Sequence, residues 1–279
     1  MQTVAIVGVG LIGGSFGLAL KKAGFDGEIL GVSSERAIAD ALRRGAIDRG
    51  LPLAEAARAA DLIYLAQPIG RIMDTLRRVD DLAQAGALIT DAGSTKSAIV
   101  SLARKVIRRC QFLGGHPMAG KEKRGASAAD ADLFAGRTYV LTPTQEEDLR
   151  TPRAGEFLQW IKRIGANPLV MGPDQHDAIV SFTSHLPQLA STALAATVAE
   201  NLESPEDVAV AGSGLADMTR LANSSYEIWR DILATNTDSI DRALAAYIAK
   251  LEHMRENLRT RQMQEQFESG AALAARLRR

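Results

Sequence analysis

A glycine-rich motif near the start of this 279-residue chain is suited to binding a dinucleotide. Gly8-Val-Gly-Leu-Ile-Gly13 follows a short apolar run and precedes a helical pattern, which is the context that this spacing requires. Gly8 permits a tight turn, Gly10 lets the backbone approach a pyrophosphate, and Gly13 lets the helix pack against the strand. The helix N-terminus, at Leu11 and Ile12, offers free N–H groups and the positive end of a dipole. These five residues form a predicted cofactor site.

The end of the second predicted strand indicates which dinucleotide is preferred. About 20 residues after Gly13, an NAD-binding unit usually has an Asp or Glu that holds both ribose hydroxyls. Here the chain has Ser33 and Ser34, followed by Glu35 and Arg36. Because hydroxyls and a guanidinium accept a 2′-phosphate, Ser33, Ser34 and Arg36 predict a preference for NADP over NAD. Two alternatives stay open: Glu35 could turn toward the ribose, or the serines could simply cap a helix.

Two further motifs carry residues suited to proton transfer and to binding a hydroxyl group. His116 lies in Gly114-Gly-His-Pro-Met-Ala-Gly120, where the flanking glycines supply no side chains for core packing. A histidine that titrates near neutrality is suited to removing a proton. In Asp91-Ala-Gly-Ser-Thr-Lys96, Ser94 could contact a substrate or cap the next helix, and Lys96 is interpreted as an ordinary lysine in a first helical turn.

The elements that must position these motifs follow from the periodicity of the chain. Up to residue 171, short β-branched runs alternate with amphipathic helical patterns, which is typical of a parallel sheet covered by helices. The predicted strands are 4–7, 28–32, 62–66, 87–90, 111–113, 138–141 and 168–171, and the predicted helices include 36–44, 72–82, 96–108 and 155–164. Because ligands bind at the carboxyl edge of such a sheet, we expect the motifs to meet there.

From residue 172 onward the pattern is helical. The chain is therefore predicted to form an α/β dinucleotide-binding domain over 1–171 and an all-α domain over 172–279. Residues 191–199 are apolar nearly all round their helix, which indicates burial on several sides. So small a helical domain buries such a helix most easily against another subunit, which predicts a homodimer. The alternative is an internal core helix in a monomer. The charged segment 251–279 is expected to be a solvated helix or a frayed tail.

Composition excludes several classes of function. Lys plus Arg and Asp plus Glu each number 33, so the formal charge is zero and neither nucleic acid nor an acidic membrane surface is an expected partner. The single cysteine, Cys110, has no disulfide partner, and four histidines argue against a multi-histidine metal centre. The sequence has no recognisable secretion signal and no run of about 18 apolar residues. These features predict a cytoplasmic protein without a bound metal.

Two more motifs complete a resemblance. Ser184-His-Leu-Pro187 and Asp217-Met-Thr-Arg220 follow the three motifs above, and the set resembles the prephenate/arogenate dehydrogenase family of tyrosine biosynthesis, in order and over nearly the whole chain. The resemblance implies a Rossmann-type domain followed by a helical dimerisation domain. It also implies oxidative decarboxylation of prephenate to 4-hydroxyphenylpyruvate, or of arogenate to tyrosine, with hydride transfer to NADP or NAD.

The resemblance assigns roles to individual residues. It implies that His116 accepts the proton of the substrate hydroxyl and that Ser94 holds this hydroxyl and His116 together. Arg220 would pair with the ring carboxylate, His185 would line the pocket, and Trp229 would form an aromatic wall. Considered without the family, His185 and Trp229 are equally consistent with core positions, and Arg220 with a solvated side chain.

The sequence leaves the substrate open. Ala216 stands where some family members have a basic residue, so a second cation would have to come from Lys121, Lys123 or Arg124. Glu122 could pair with the amino group of arogenate, which prephenate lacks. Neither a chorismate mutase segment nor a regulatory domain is expected. Two other functions are considered: another NAD(P)-dependent hydroxyacid dehydrogenase or reductase, and a nucleotide-binding sensor without catalysis.

Overall fold

Eight strands form one sheet in the first part of the chain. The computed structural model describes residues 1–121, 123–202, 204–260 and 262–278. The strands are β1 (Thr3–Val7), β2 (Glu28–Val32), β3 (Arg49–Gly50), β4 (Leu62–Leu65), β5 (Leu88–Asp91), β6 (Gln111–Pro117), β7 (Thr138–Pro143) and β8 (Asn167–Val170). Their order across the sheet is β3-β2-β1-β4-β5-β6-β7-β8. The predicted α/β class is confirmed, and the two-residue β3 is an additional strand.

One strand pair departs from the predicted parallel sheet. Neighbouring strands run parallel except β6 and β7, which are antiparallel. A parallel connection needs a crossover, usually a helix. Between β6 and β7 the described chain contains only a 3₁₀ turn at Ala126–Ala128, so it returns along the sheet in the opposite direction. The expectation of a fully parallel sheet was wrong at this pair for that reason.

Helices cover both faces of the sheet. They are α1 (Leu11–Lys22), α2 (Glu35–Arg43), α3 (Leu53–Ala59), α4 (Ile69–Leu82), α5 (Ser97–Val106) and α6 (Pro152–Arg163), of which α3 was not predicted. Successive residues of β1 point to opposite faces: Val4 and Ile6 join one hydrophobic core, and Ala5 and Val7 join the other. A strand buried on both faces reads as a continuous apolar run, which explains why the strands were recognisable in the sequence.

β6 extends four residues beyond the predicted run and carries His116 within the strand. Two glycines allow this strand to approach its neighbours closely. A Cβ on Gly114 would lie 2.3 Å from Thr142 Oγ1, and one on Gly115 would lie 2.6 Å from the carbonyl oxygen of Asp91. His116 is therefore held by strand pairing rather than in the loop that the sequence predicted.

The second part of the described chain is helical, as predicted. Its helices are α7 (Pro173–Val180), α8 (Leu186–Asn201), α9 (Pro205–Ala209), α10 (Ser213–Thr219), α11 (Tyr226–Thr235), α12 (Thr237–Glu256) and α13 (Gln264–Leu277). A π-helical turn at Ser181–His185 joins α7 to α8, with the Leu186 N–H donating to the Ser181 carbonyl five residues back. Among the described residues, no helix combines the length and the apolar character needed to cross a membrane.

The apolar helix α8 is largely uncovered within the chain. Gln188 and Ser191 are its only residues that are buried among those described. The alternative of an internal core helix is therefore wrong for this chain, because no element of the described chain packs around it on all sides. What remains is the prediction that a second copy covers α8.

Hydrogen bonds connect the two parts of the chain. The Gly70 N–H donates to Asp231 Oδ2 over 2.9 Å, and the hydroxyls of Thr95 and Thr235 lie 2.7 Å apart. Asp177 of α7 accepts from two N–H groups at the start of α5. These contacts fix the walls of a cleft between the sheet edge and the helices.

Candidate active site

The glycine motif forms a tight turn between β1 and α1. Gly8 has φ +96°, which favours glycine, and a Cβ there would lie 2.7 Å from the Ala66 carbonyl oxygen. A Cβ on Gly13 would lie 2.1 Å from the Gly8 carbonyl oxygen, so helix and strand touch at this point. Gly10 faces open space, and no side chain caps the N-terminus of α1. An open backbone surface at an uncapped helix N-terminus fits a pyrophosphate.

The carboxyl end of β2 lies beside this turn, because the Gly8 N–H donates to the Val32 carbonyl over 2.8 Å. Ser33, Ser34 and Arg36 follow β2, and all three are exposed. Ser34 caps α2 by accepting from the Ala37 N–H at 3.4 Å, so the helix-cap interpretation holds for this serine. Ser33 and Arg36 have no such structural role among the described contacts.

A cleft begins at the glycine turn and extends along the helical part. One compartment of about 330 Å³ is lined by Ser94, and a second of about 570 Å³ is lined by Arg220. Ile12 of the glycine turn and Ile228 of α11 border both compartments, so the two are continuous. The structure thus brings the glycine turn, Ser94 and Arg220 to one cleft.

His116 lies at the same sheet edge as Ser94, because β5 and β6 are parallel neighbours. Its Nδ1 is 2.8 Å from Nε2 of His176, and the two rings meet edge to face. His176 Nδ1 is in turn 2.7 Å from Oδ1 of Asp177. Within the described chain, no hydrogen bond joins Ser94 to His116. A line of three polar side chains therefore runs from β6 into α7.

The surroundings of His116 favour its neutral form. Burial lowers its pKa well below the ordinary value, and the neighbouring His176, Lys96 and His185 lower it further. A neutral imidazole has a lone pair and can accept a proton. His116 is therefore suited to act as a base rather than as an acid.

Lys96 differs from the ordinary first-turn lysine that its sequence position suggested. Its side chain is fully buried, forms an ion pair with Asp91, and donates to the Gly115 carbonyl over 2.8 Å. Burial lowers the pKa of Lys96 more than the ion pair with Asp91 raises it. The interpretation was wrong because the α5 N-terminus packs against α7, which the local sequence does not reveal.

Asp177 caps α5 from the helical part of the chain. The Lys96 N–H donates to its Oδ1 over 2.7 Å, and the Ser97 N–H donates to its Oδ2 over 2.9 Å. Ser94, considered as a possible cap, makes no cap hydrogen bond. Burial alone would raise the pKa of Asp177, but the hydrogen bonds from His176, Ser97 and Lys96 outweigh it and lower this pKa. Asp177 is thus a buried carboxylate that stays ionised.

His185 and Trp229 are in contact with each other. His185 is 1 % exposed, its ring meets Trp229 edge to face, and its Nδ1 is 3.3 Å from Nδ2 of Asn236. Burial lowers the pKa of His185 to about 4, although Asp177 acts in the opposite direction. Trp229 is half-buried and packs against the core below the sheet. Trp229 directly follows Ile228, which lines both compartments, whereas His185 has the hydrogen bond of a core histidine.

The mouth of the cleft carries several charges. Arg220 is exposed there, and Arg124 forms a 3.8 Å ion pair with Glu227 of α11. Lys121 and Lys123 line the same compartment as Arg220. Glu122, which the sequence placed at the substrate, lies outside the described residues. Cationic groups from both parts of the chain thus surround the opening.

Sequence reasoning missed His176 and Asp177. They are adjacent in the chain and follow Gly172-Pro173, which starts the helical part. A histidine beside an aspartate at a domain start is a weak signal. Their relation to His116, 60 residues away, depends on how α7 packs against the edge of the sheet.

Comparison with known proteins gives one family for both parts of the chain. The model described as "Prephenate dehydrogenase, nucleotide-binding domain" matches residues 16–167. The model described as "Prephenate dehydrogenase, dimerization domain" matches residues 172–270. A prephenate dehydrogenase of Bacillus subtilis (strain 168) is 37% identical over 264 residues, which cover 91% of this chain and 69% of that protein. The chain thus spans about two thirds of the length of this relative.

Solved structures agree with this result. The Aquifex aeolicus prephenate dehydrogenase in complex with hydroxyphenyl propionate and NAD⁺ has a TM-score of 0.88 and 30% identity, covering 99% of this chain and 97% of that one. The Synechocystis arogenate dehydrogenase has a TM-score of 0.79 and 27% identity, covering 99% of both chains. Relatives with different named substrates therefore share this fold.

Proposed function

The chain belongs to the prephenate dehydrogenase family, and we propose that it catalyses the oxidative decarboxylation of prephenate or arogenate. The observation that carries this proposal is the cleft itself. It joins an open glycine turn to Ser94 and to Arg220, at the sheet edge where His116 is held in its neutral form. A hydroxyl-bearing carboxylate and a dinucleotide are the ligands that this set of groups suits.

The family and the fold support a nicotinamide cofactor. Gly8, Gly10 and Gly13 would hold its pyrophosphate, together with the N–H groups of Leu11 and Ile12. When bound, the nicotinamide accepts a hydride from the substrate ring. The protein contributes the orientation of the two ligands and the electrostatics of the cleft.

His116 and Ser94 act on the substrate hydroxyl in this proposal. Nε2 of His116 accepts the hydroxyl proton as the ring is oxidised, and Ser94 Oγ hydrogen-bonds the same oxygen. Because Ser94 and His116 share no hydrogen bond in the described chain, the substrate oxygen is what would connect them. Carbon dioxide then leaves because its loss makes the ring aromatic, and the oxygen takes the proton back.

Four residues would bind the rest of the substrate. Arg220 lines the larger compartment, where its guanidinium would pair with the ring carboxylate. Trp229 and the neutral His185 would form the wall behind the ring. Glu122, which lies outside the described residues, would favour the amino group of arogenate over the keto group of prephenate.

We also propose that NADP is preferred to NAD. The support is the exposed pair Ser33 and Arg36 beside the glycine turn, with a serine where an NAD-binding unit has a carboxylate. Ser34 would contribute through its backbone, since its side chain caps α2.

The assembly is proposed to be a homodimer formed through residues 172–279, with 1–171 as the dinucleotide-binding domain. The match to a dimerization domain and the uncovered face of α8 support this. No nucleic acid or membrane partner is proposed, and a cytoplasmic location stays a prediction.

The decisive assay follows reduced cofactor by its absorbance with four mixtures: prephenate or arogenate, each with NADP or NAD. We expect turnover in at least one mixture. His116→Asn should lower kcat by about 100-fold to 10,000-fold without changing cofactor affinity, because it removes a positioned base. No turnover in any mixture would refute the proposal. Turnover of a different hydroxyacid alone would favour another dehydrogenase, and cofactor binding without any turnover would favour a sensor.

A further inference from the structure

His116, His176 and Asp177 form a connected line of hydrogen bonds that leads away from the cleft. His116 Nδ1 is 2.8 Å from His176 Nε2, and His176 Nδ1 is 2.7 Å from Asp177 Oδ1. His176 is 1 % exposed and Asp177 is 3 % exposed. Each of these contacts has one donor and one acceptor, so when each ring carries one proton, the position of the proton on His176 determines that on His116.

The carboxylate determines where the protons lie. Asp177 is ionised and only accepts hydrogen bonds, so His176 Nδ1 must carry a proton and donate it. We take His176 in its neutral form, so this proton on Nδ1 is its only ring proton. A neutral His176 therefore has a lone pair on Nε2, which accepts from His116 Nδ1. His116 is then left with a lone pair on Nε2.

We propose that His176 and Asp177 are positioning residues for His116, which they hold as the Nδ1–H tautomer so that Nε2 is free to accept the substrate hydroxyl proton. This inference rests on the proposed function for the identity of that proton. Asp177 also caps α5, so the same carboxylate fixes a helix end and the tautomer.

The line also stabilises the charge that forms during the reaction. When the substrate hydroxyl passes its proton to Nε2, His116 becomes an imidazolium whose Nδ1–H still donates to His176. The ionised Asp177 lies on the far side of His176 and faces this new positive charge. The proton returns to the substrate oxygen when carbon dioxide leaves, so no net proton is gained or lost by the line.

Other ionisable groups around the line must be considered in any pH measurement. Lys96 approaches from the start of α5 and is paired with Asp91 of β5. His185 lies in the π-helical turn that follows α7. Asp174 stands one helical turn before Asp177, is exposed, and accepts a hydrogen bond from Ser97 Oγ over 2.7 Å.

Asp177→Asn is the most informative variant. The amide oxygen can still accept from the Ser97 N–H, but an NH₂ at the position of Oδ1 would donate to His176 Nδ1, move its proton to Nε2 and lose the bond from the Lys96 N–H. His116 would then be protonated on Nε2 and could not accept a proton there. We expect kcat to fall by about 100-fold to 10,000-fold, as when a base is held in the wrong tautomer, with unchanged cofactor Kd. Asp174→Asn removes the same charge from the same helix and should leave kcat and the tautomer unchanged.

Two substitutions of His176 provide a second route if Asp177→Asn does not fold. His176→Phe removes the acceptor for His116 Nδ1 and should lower kcat by about 100-fold. His176→Gln offers an amide oxygen in its place and should recover most of that loss. If His176 merely filled space, His176→Phe should keep a higher kcat than His176→Gln, because the shape of Phe is closer to that of the imidazole ring.

The tautomer can be measured without turnover. In ¹⁵N spectra at pH 8, assigned by comparison with His116→Asn, we expect His116 Nε2 to be unprotonated in the wild type and protonated in Asp177→Asn. A protonated Nε2 in the wild type, or wild-type kcat in both Asp177→Asn and His176→Phe, would overturn the inference. The expected spectra without turnover of any substrate would instead overturn the proposed function and leave the positioning role intact.

Discussion

The two parts of the chain differ in how they treat their apolar side chains. In the described chain, four of the buried hydrophobic residues lie after residue 171: Val180, Ile232, Ile240 and Ala243. All the others lie in residues 1–171. The exposed large hydrophobic residues show the reverse, since among the described residues only Leu42, Leu169 and Val170 lie in the first part.

This difference indicates what each part needs in order to be stable. The first part buries its apolar surface on both faces of its own sheet. The helical part leaves side chains such as Phe182, Ile248 and Leu251 about half exposed. Because exposed apolar patches mark interaction sites, this difference supports the proposed homodimer formed through the helical part.

The largest effect should come from the core of the first part. Phe16 is fully buried and stacks on Tyr64 with 4.0 Å between ring centroids. Phe16→Ala should lower the free energy of unfolding by about 3–5 kcal/mol, as measured by urea denaturation. Phe16→Leu should lose less, because it leaves a smaller cavity. Since this core lies within one chain, the loss should be the same at low and high protein concentration. A loss that depends on concentration would contradict the view that the first part is stabilised within one chain.

Acid should destabilise the helical part through His185. Its folded pKa of about 4 lies below that of the unfolded chain, so between pH 6.5 and pH 4 the unfolded chain binds more protons. The free energy of unfolding should therefore fall as the pH falls through this range, by about 3 kcal/mol at pH 4 from this group. Denaturant titrations at several pH values measure the slope. His185→Gln should flatten it, and an equal slope in wild type and variant would contradict the assignment.

A charge on the exposed apolar face should weaken the dimer. Ile248 of α12 is 51% exposed, and Ile248→Asp would place an unpaired charge in an interface. We expect the dimer Kd in sedimentation experiments to rise about 30-fold, or about 2 kcal/mol. Leu42→Asp is the matched control, because Leu42 is 42% exposed on a helix of the first part. Equal effects of the two substitutions would show that the two surfaces do not differ.

The smallest effect concerns cofactor choice in the first part. Ser33→Asp would place a carboxylate where a 2′-phosphate is proposed to bind, and should change the ratio of the NADP and NAD Kd values by about tenfold in favour of NAD. Arg36→Gln should act in the same direction. The helical part is not expected to respond, so the dimer Kd serves as the control. Unchanged cofactor ratios in both variants would reject the preference for NADP.

Features that depend on local sequence could be predicted, whereas features that depend on distant contacts could not. The glycine turn and β1 were recognisable because local spacing and a continuous apolar run determine them. The family followed from the order of five motifs, and the comparisons confirm it. The length of β6 was not predicted, because two consecutive glycines usually indicate a loop. Gly114 and Gly115 instead allow close contact with Thr142 and Asp91, which lie far away in the sequence.

Contacts between distant elements escaped prediction for a different reason. The burial of Lys96 and the line from His116 to Asp177 depend on α7 packing against α5 and β6. No periodicity within one segment encodes such packing. The roles of Ser94, Arg220, His185 and Trp229 stay predictions, although the structure locates Ser94 and Arg220 in the cleft and brings His185 and Trp229 into contact.

The π-helical turn at Ser181–His185 holds one residue more than a regular helical turn. His185 is nine positions after His176, and in a regular α-helix this offset would put the two side chains about 180° apart. The wider turn absorbs one residue, so the angle falls to roughly 80° and both rings are buried. Deleting a single residue here would therefore leave a regular α-helix in which His185 keeps its direction. An alignment gap at this turn is compatible with an intact pocket.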